Sequence, residues 1–511
     1  MNKKRTEKSI KNIATAMIVQ VISLLLAFIT RTLLVKSLGV ESVSLNGLFT
    51  EVIAMLSLTE LGVGTAIIYN LYKPLALGDE EKICQLMRLF KVAYRVIALA
   101  TFVIGCSLIP VINLLVKDIS YCDNYVRIVY FLFVIQTSTS YLFSYKVSLL
   151  NADQRKFIHL IIHVSVKCIS TGVSAIVLFT TYNFILYLLV VIVFNLITNV
   201  IASVVVDRLY PYLKKDYGKL PKKESKKVFA NIKHLFVKNV SAKITNSTDN
   251  ILVSSIVGIL TVGIYTNYSM IFSAVKQFSV QISGALAGSL GNLFAVEKGQ
   301  HCSNVLGRLT YIFFLVSSSL SVCLYCCITP LVSVWLGDDW LLDNPTVFVC
   351  SLNMFFDFAK IPLWQSLEVS GLFKKDKNIS IIGSVANLIV SIFLGIKWGI
   401  LGIFIGTLVT YAIQIILKIK LLYSDFFKIS SKVYYMKWFV YFALTVSEML
   451  LSKFICDQII PFQGILNFLL CAVLGMAVPL MINILLSIKT KEFNYLKSLC
   501  FKFIRKKSNS V

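Results

Sequence analysis

Long apolar stretches follow one another along almost the whole chain, with short polar segments between them. A helix needs about 20 apolar residues to cross the hydrocarbon core of a bilayer, where it satisfies its backbone polar groups internally. Fourteen stretches have this character: 12–36, 43–70, 88–116, 124–150, 157–180, 184–206, 229–258, 261–293, 305–336, 346–370, 378–396, 399–423, 433–453 and 463–488. The sequence therefore predicts an all-α, polytopic membrane protein with about fourteen transmembrane helices.

The composition agrees with this prediction. Hydrophobic residues make up 57% of the 511 residues and charged residues 15%. A soluble domain carries roughly 25% charged residues, so the low charged share excludes that class. The net charge of +25 does not indicate a nucleic-acid binder, because the basic residues lie in short segments between the apolar stretches. We expect membrane lipids as partners and no nucleic acid.

The distribution of Lys and Arg orients the chain. With the odd-numbered loops outside, about 35 of the 50 Lys and Arg residues fall on the cytoplasmic side, as the positive-inside rule requires. Four lie in outer loops: Lys36, Lys117, Lys397 and Lys453. The first apolar stretch is too long for a cleaved signal sequence and is predicted to be an uncleaved span. We predict a multi-pass protein of a bacterial cytoplasmic (inner) membrane, with both termini cytoplasmic.

The two halves of the chain resemble each other at a spacing of 220 residues, which places Arg88 on Arg308 and Pro110 on Pro330. Six spans, an even number, separate equivalent positions, so both halves enter the membrane with the same orientation. This predicts a parallel repeat about an axis along the membrane normal. The sequence therefore predicts a division of the chain into four segments: an N-terminal six-helix lobe at 1–206, a basic cytoplasmic linker at 207–228, a C-terminal six-helix lobe at 229–423, and two additional helices with a basic cytoplasmic tail at 424–511.

The twelve cysteines do not predict a metal or disulfide site. Seven of them fall inside apolar segments, where cysteine is usually a small buried hydrophobic residue: Cys106, Cys168, Cys323, Cys326, Cys327, Cys350 and Cys471. The closest group, Cys323 to Cys327, has no His or acidic neighbour that would complete a zinc site. We expect neither a metal ion nor a cofactor.

Ionisable residues inside the predicted spans are the candidate functional residues, because lipid cannot solvate a charge. Four cationic residues are placed there: Arg31, Lys167, Lys243 and Lys276. Lys167 and Lys276 have no obvious acidic partner on their own helices, which favours a functional role over a structural one. Basic residues from both halves of the chain would suit the binding of an anion.

Two acidic residues are candidates for coupling and gating. Glu60 lies midway along a polar stripe of the second span and is predicted to carry a proton, the alternative being a structural hydrogen bond. Asp249 lies at the depth that the repeat makes equivalent to Arg31; as an alternative to a functional role, the two residues could pair across the two halves and serve only as a latch. Asp357 and Lys360, three positions apart on one helix, fit a local ion pair as well as a functional site.

A family resemblance is carried by residues 30–92. The chain reads LGVE at 38–41, ELGVGTAI at 60–67, YKPLA at 72–76 and GDEEK at 78–82. These segments resemble the bacterial polysaccharide flippases, the O-antigen and capsule (Wzx-like) transporters of the superfamily that also holds multidrug and peptidoglycan-precursor exporters. The fourteen-span plan and the repeat extend the resemblance over the whole chain.

The resemblance implies two six-helix lobes around a V-shaped central cavity, alternating access, and an undecaprenyl-diphosphate-linked oligosaccharide as substrate. It also implies cationic cavity residues that meet the diphosphate, which Arg31, Lys167 and Lys276 match in type and depth. Other membrane proteins of polysaccharide assembly are implied as partners.

Two other functions remain open. A multidrug exporter of the same fold would exchange an organic cation for sodium or protons, and Glu51 and Asp357 together with the two acidic candidates keep this alternative. A membrane enzyme, such as a polysaccharide polymerase or ligase, would need reactive groups on a substantial outer loop. The longest predicted outer loop, at 337–345, is short, and the sequence has no nucleotide loop or nucleophile elbow. The intramembrane cations favour the flippase.

Overall fold

The computed structural model of the protein describes residues 2–56, 63–116, 120–218, 220–222, 224–226, 228, 249–297, 299–459 and 464–498. The helices are α1 (Asn2–Leu56), α2 (Val63–Leu77), α3 (Glu80–Ser107), α4 (Asp123–Ala152), α5 (Lys156–Thr181), α6 (Phe184–Leu209), α7 (Asp249–Leu252), α8 (Ile259–Val296), α9 (Gln300–Leu336), α10 (Asn344–Ala359), α11 (Ile361–Val369), α12 (Phe373–Leu421), α13 (Lys432–Ile459) and α14 (Ile465–Ser487). Short 3-10 or π turns complete them at Ile109–Leu115, Pro211–Lys214, Val253–Val257, Asp338–Trp340 and Leu422–Phe427. These residues contain no strand, which confirms the all-α prediction for the described part of the chain.

Ten of the described helical segments are long and apolar enough to cross a membrane, which confirms a multi-pass membrane protein. Two of them, Thr15–Leu56 and Lys375–Phe427, have 42 and 53 residues, about twice the length that one crossing requires. Each is broken by a glycine at positive φ, Gly39 at 71° and Gly399 at 60°. A residue with a Cβ rarely adopts this conformation, so glycine permits each break. The count of fourteen spans stays a prediction.

Side-chain caps define where several helices begin. The Asp79 carboxylate accepts the backbone N–H of Lys82 at 2.9 Å and so starts α3. Asp343 accepts the backbone N–H of Thr346 at 3.1 Å at the start of α10. Each cap satisfies one of the backbone donors that a helix leaves unpaired at its first turn.

Helix boundaries recur at the spacing of the predicted repeat. Helices α3 and α9 begin at Glu80 and Gln300, 220 positions apart. The helical breaks at Gly39 and Gly258, both at positive φ, are 219 positions apart. This agreement supports the internal repeat, while the arrangement of two six-helix lobes about an axis remains a prediction.

The chain divides into two compact units, residues 1–263 and 264–511. In the first unit, α4 packs against α2, α3 and α6, and α5 packs against α1 and α6. Its core includes the fully buried Phe90, Leu149 and Val206. Asp249, which the repeat assigns to the second half, lies in this first unit. The predicted segment boundaries at 206, 228 and 423 stay predictions.

In the second unit, α9 is the central helix and packs against α10, α13 and α14. Its most apolar window is 72% buried, whereas that of α14 is 22% buried. Four serines give α9 a buried polar face: Ser317, Ser318, Ser319 and Ser321. Helix α14 approaches α9 closely at Gly475, where a Cβ would lie 2.7 Å from the Cα of Cys323. The two helices outside the predicted repeat, α13 and α14, therefore pack directly on the core of the second unit.

Candidate functional site

Four of the six predicted site residues fall in the described part of the chain. Arg31, Lys167 and Asp249 belong to the first unit and Lys276 to the second. Glu60 and Lys243 lie outside the described residues. The functional roles of all six therefore stay predictions.

Arg31 is largely buried on α1 and contacts the backbone at the start of α8. Its Nη2 donates to the carbonyl oxygen of Gly263 at 3.0 Å. The backbones approach closely there, since a Cβ at Gly263 would lie 3.2 Å from the carbonyl oxygen of Val40 and would overlap Ser44. Asp249 begins α7, which also packs against α1. Arg31 and Asp249 thus lie on contacting helices of one unit. A latch formed by these two side chains stays a prediction.

Lys167 lies half-buried on α5, on the face that also carries His163 and His159. The two imidazole rings are 6.2 Å apart between centroids. No acidic side chain among the described residues interacts with the Lys167 ammonium. This helix therefore presents a row of basic side chains inside the first unit.

The two histidines line a cavity of about 600 Å³ within the first unit. Most of the lining side chains are neutral and able to form hydrogen bonds: Gln136, Thr137, Ser140, Ser144, Ser148, Asn151, Asn195, Thr198 and Asn199. No Asp, Glu, Lys or Arg is among the described residues that line it. The volume is within the usual range for a small-molecule site. The sequence does not predict this cavity, because its walls come from polar residues of α4, α5 and α6, and the sequence does not show that these helices face one another.

Lys276, in the second unit, is bound to an acidic residue of another helix. Its Nζ lies 2.6 Å from Oδ2 of Asp357, whose Oδ1 accepts from Lys360 Nζ at 2.6 Å. The Tyr411 hydroxyl donates to the same Oδ1 at 2.7 Å. Lys276 therefore lacks an acidic partner only on its own helix. The predicted local pair of Asp357 and Lys360 is present and forms the centre of a larger group.

Aromatic rings and a further lysine extend this group, which we call the Asp357 cluster: Lys276, Asp357, Lys360, Trp364, Tyr411 and Lys418. The Lys360 ammonium lies 4.3 Å from the ring centroid of Tyr411 and 5.9 Å from that of Trp364. Lys418, 1% exposed, lies 4.7 Å from the same Trp364 centroid and is ion-paired with Asp376. The cations outnumber the carboxylates by three to two even when Asp376 is included.

The exposure of the cluster differs from one member to the next. The Asp357 side chain is 11% exposed and the Lys360 side chain 21%, whereas the Lys276 side chain is 48% exposed. Lys276 is therefore the cation that a ligand could reach while Lys360 and Tyr411 keep the carboxylate bound. Intramembrane charge was the only sequence signal for Lys418, and nothing in the sequence linked Tyr411 or Trp364 to it.

Residues 9–287, more than half of the chain, match the family described as polysaccharide biosynthesis protein. No curated protein matches the sequence. The fold is similar to that of the lipid II flippase MurJ in an inward closed conformation, with 17% identity, 94% of this chain and 99% of that chain covered, and a TM-score of 0.70.

The fold is also similar to that of an inward-facing multidrug transporter of the MATE family and MOP superfamily, with 13% identity, 80% of this chain and 97% of that chain covered, and a TM-score of 0.55. A MATE transporter of Vibrio cholerae has 13% identity, with 82% and 98% covered and a TM-score of 0.52. These proteins are transporters and a flippase rather than enzymes, and their fold agrees with the family resemblance seen in the sequence. The chain belongs to the polysaccharide biosynthesis protein family and has the fold of the MurJ and MATE transporters.

Proposed function

We propose that the protein flips an undecaprenyl-diphosphate-linked oligosaccharide, of the O-antigen or capsule type, from the inner to the outer leaflet of the bacterial cytoplasmic membrane. Alternating access coupled to an ion gradient is the proposed mechanism. Membership of the polysaccharide biosynthesis family and the fold shared with a lipid II flippase support this function. The observation that carries it is the half-exposed Lys276 beside a buried carboxylate that has two further partners.

A diphosphate carries about two negative charges, and moving it unaided through hydrocarbon would be prohibitive because buried charges need partners. The Lys276 ammonium group can release the Asp357 carboxylate and bind a phosphate oxygen in its place. After that exchange Asp357 keeps Lys360 at 2.6 Å and Tyr411 at 2.7 Å, so no buried carboxylate is left unpaired. The cluster is therefore suited to bind and release an anion repeatedly.

The other predicted cations are proposed as further residues that bind the diphosphate. Arg31 can grip a phosphate with two parallel hydrogen bonds, whereas Lys167, Lys243 and Lys276 act as point charges. The neutral amide and hydroxyl groups around the cavity of the first unit suit the hydroxyl groups of a glycan. Glu60 and Asp249 are proposed as coupling and gating residues.

The test is deletion of the gene followed by complementation and analysis of the undecaprenyl-linked pool. We expect cytoplasmic-side intermediates to accumulate in the deletion strain, the wild-type gene to clear them, and Lys276→Ala to leave them uncleared. Lys375→Ala is the matched control, because Lys375 is 67% exposed, pairs with Asp425 at 2.6 Å and is not a member of the cluster. It should restore surface glycan at equal protein level.

Unchanged glycan together with altered drug resistance in the deletion strain would contradict the proposal. That outcome would favour a multidrug exporter of the same fold. Equal complementation by Lys276→Ala and Lys375→Ala would leave flipping intact as a function but remove Lys276 from the substrate path.

A further inference from the structure

Glu448 lies near the middle of α13 and is 1% exposed. No charged side chain among the described residues interacts with its carboxyl group; the groups that face it are Ser318 of α9 and Asn483 of α14. Ser452, one turn further along α13, is fully buried on the same face of the helix. A carboxylate in such surroundings has nothing to balance its charge, which makes the ionised form unfavourable.

Several polar atoms around this carboxyl group are buried without a hydrogen-bond partner. Both oxygens of Glu448 and Oδ1 of Asn483 are buried without a hydrogen-bond partner, as is Oγ of Ser452. The Asn483 amide nitrogen donates one of its two N–H groups to Oγ of Ser318 at 2.9 Å. A proton on Glu448 removes the charge and converts one acceptor into a donor for the Asn483 oxygen. A single proton therefore removes the uncompensated charge and lets the carboxyl group donate to a neighbouring acceptor.

The charged groups on the helices that pack around Glu448 are held elsewhere. On α13 itself, Lys437 lies 2.5 Å from Glu492, and Lys453 lies 2.9 Å from Asp457. On α12, Lys418 is paired with Asp376. The titratable groups on the neighbouring stretches of α9 and α14 are uncharged phenols and thiols: Tyr311, Tyr325, Cys323, Cys326, Cys327 and Cys471. No nearby cation therefore replaces the proton.

Two further buried hydroxyl groups lie beside Asn483, toward one end of the helices. Ser487 donates to the backbone carbonyl of Asn483 at 2.6 Å, and its hydroxyl lies 2.5 Å from that of Tyr311. At this end, a cavity of about 420 Å³ is lined by Arg308, Lys437, Lys491 and Glu492 among others. Lys437 and Glu448 are eleven residues apart on one helix, or about 16 Å. The predicted topology places this cavity on the cytoplasmic side.

We propose that Glu448 is a proton-binding site, reached from the cavity beside Lys437 through Tyr311 and Ser487. The site belongs to the two helices outside the predicted repeat and is distinct from the Asp357 cluster. It stands independently of the cargo, because it rests on the surroundings of one carboxyl group. Loss of the proton would leave a charge between α9, α13 and α14, so occupancy of the site controls how these helices pack.

Infrared difference spectroscopy of the purified full-length protein in detergent tests the site directly, through the carbonyl stretching band of a protonated carboxyl group. We expect the wild type to show this band at neutral pH and Glu448→Gln to lose it. Asp425→Asn is the control and should keep the band, since Asp425 is a carboxylate paired with Lys375. A band that survives in Glu448→Gln, or its absence from the wild type, would overturn the proposal.

Two further variants keep the test decisive if Glu448→Gln does not fold. Asn483→Ala should move the band to higher frequency, because the carboxyl proton loses its acceptor. Tyr311→Phe should keep the band but slow its shift in deuterated water several-fold, because the path loses a hydroxyl group. An unmoved band in the first variant contradicts the site, and an unchanged exchange rate in the second contradicts the path.

Discussion

Two carboxyl groups of the second unit, Asp357 and Glu448, are both buried in apolar helices but have opposite partners. Asp357 receives two lysine ammonium groups and a tyrosine hydroxyl, each within 2.7 Å. Glu448 faces an amide and a hydroxyl group and no cation among the described residues. Depth in the membrane therefore does not decide the charge of a carboxyl; its partners do. We have therefore proposed that an anion competes with the carboxylate at the first centre and that a proton binds reversibly at the second.

The comparison predicts opposite responses to the same chemical change, carboxyl to amide. At Asp357 the change leaves Lys276 and Lys360 without their counterion, so Asp357→Asn should destabilise the fold strongly. We expect roughly 2 to 3 kcal/mol, below the value for breaking a fully buried pair because Lys276 can turn toward solvent. At Glu448 the amide replaces a neutral acid, so Glu448→Gln should cost less than about 1 kcal/mol.

Thermal unfolding of the two variants in the same detergent measures this difference as a shift in Tm. Asp425→Asn serves as the surface control, since its partner Lys375 is 67% exposed. Equal shifts for Asp357→Asn and Glu448→Gln would show that the two carboxyls carry the same charge and would break the comparison.

The two lysines that share Asp357 should separate stability from transport. Lys360 is 21% exposed and packs against Tyr411, so Lys360→Ala should lower Tm by several degrees. Lys276 is 48% exposed, so Lys276→Ala should leave Tm nearly unchanged while surface glycan falls about tenfold, which corresponds to one lost charge-assisted contact of about 1.4 kcal/mol. Lys276→Arg should retain much of the activity.

These variants are compared by surface glycan per unit of membrane protein in a deletion strain, with Tm measured on the purified proteins. A strong loss of stability in Lys276→Ala would assign this lysine to the fold. A loss of glycan in Lys360→Ala at unchanged Tm would extend the anion site to the second lysine.

Arg31 and Asp249 provide the corresponding test in the first unit. If Arg31 binds the diphosphate, Arg31→Lys should retain less activity than Lys276→Arg, because lysine cannot form two parallel hydrogen bonds. If Arg31 is a latch, the double exchange Arg31→Asp with Asp249→Arg should restore the glycan that either single change removes. Complementation by the exchanged pair would therefore move Arg31 from the substrate path to the gate.

The helices were predictable from the sequence because the requirement behind them is local: about 20 apolar residues must be contiguous to cross a bilayer. The breaks near Gly39 and Gly399 were predictable for the same reason, since Gly39 falls between two predicted apolar stretches and Gly399 is the first residue of another. The end of α10 at Ala359 was not, because the predicted span at 346–370 stays apolar across it.

The candidate sites were predictable only where the partners share a helix. The pair of Asp357 and Lys360 follows from their spacing, whereas Lys276 and Tyr411 reach the same carboxylate from distant helices. Glu448 was not predicted as a site, because its role depends on which side chains of α9 and α14 face its carboxyl group. A sequence shows that a charge lies within a span, but it does not show which helix faces it.

A third carboxyl group, Glu492, gives the smallest expected change in stability, and its pH dependence has a defined direction. Burial raises the pKa of this group. The hydrogen bond and charge of Lys437, together with the charge of Arg308, lower the pKa by a larger amount, so the net shift is downward. Its stabilising effect is therefore complete above the ordinary glutamate pKa of about 4.3 and is lost as the pH falls through the lower folded value. The pair is partly exposed, at 30% and 21%, so Glu492→Gln should cost only about 0.5 kcal/mol at neutral pH. The Tm of this variant and of the wild type should converge as the pH falls below about 4.

A neutral Glu448 predicts the opposite trend. The stability of Glu448→Gln relative to the wild type should increase as the pH rises, because unfolding would release the wild-type proton. Parallel pH trends for the two variants would contradict the assignment of one carboxyl as charged and the other as neutral.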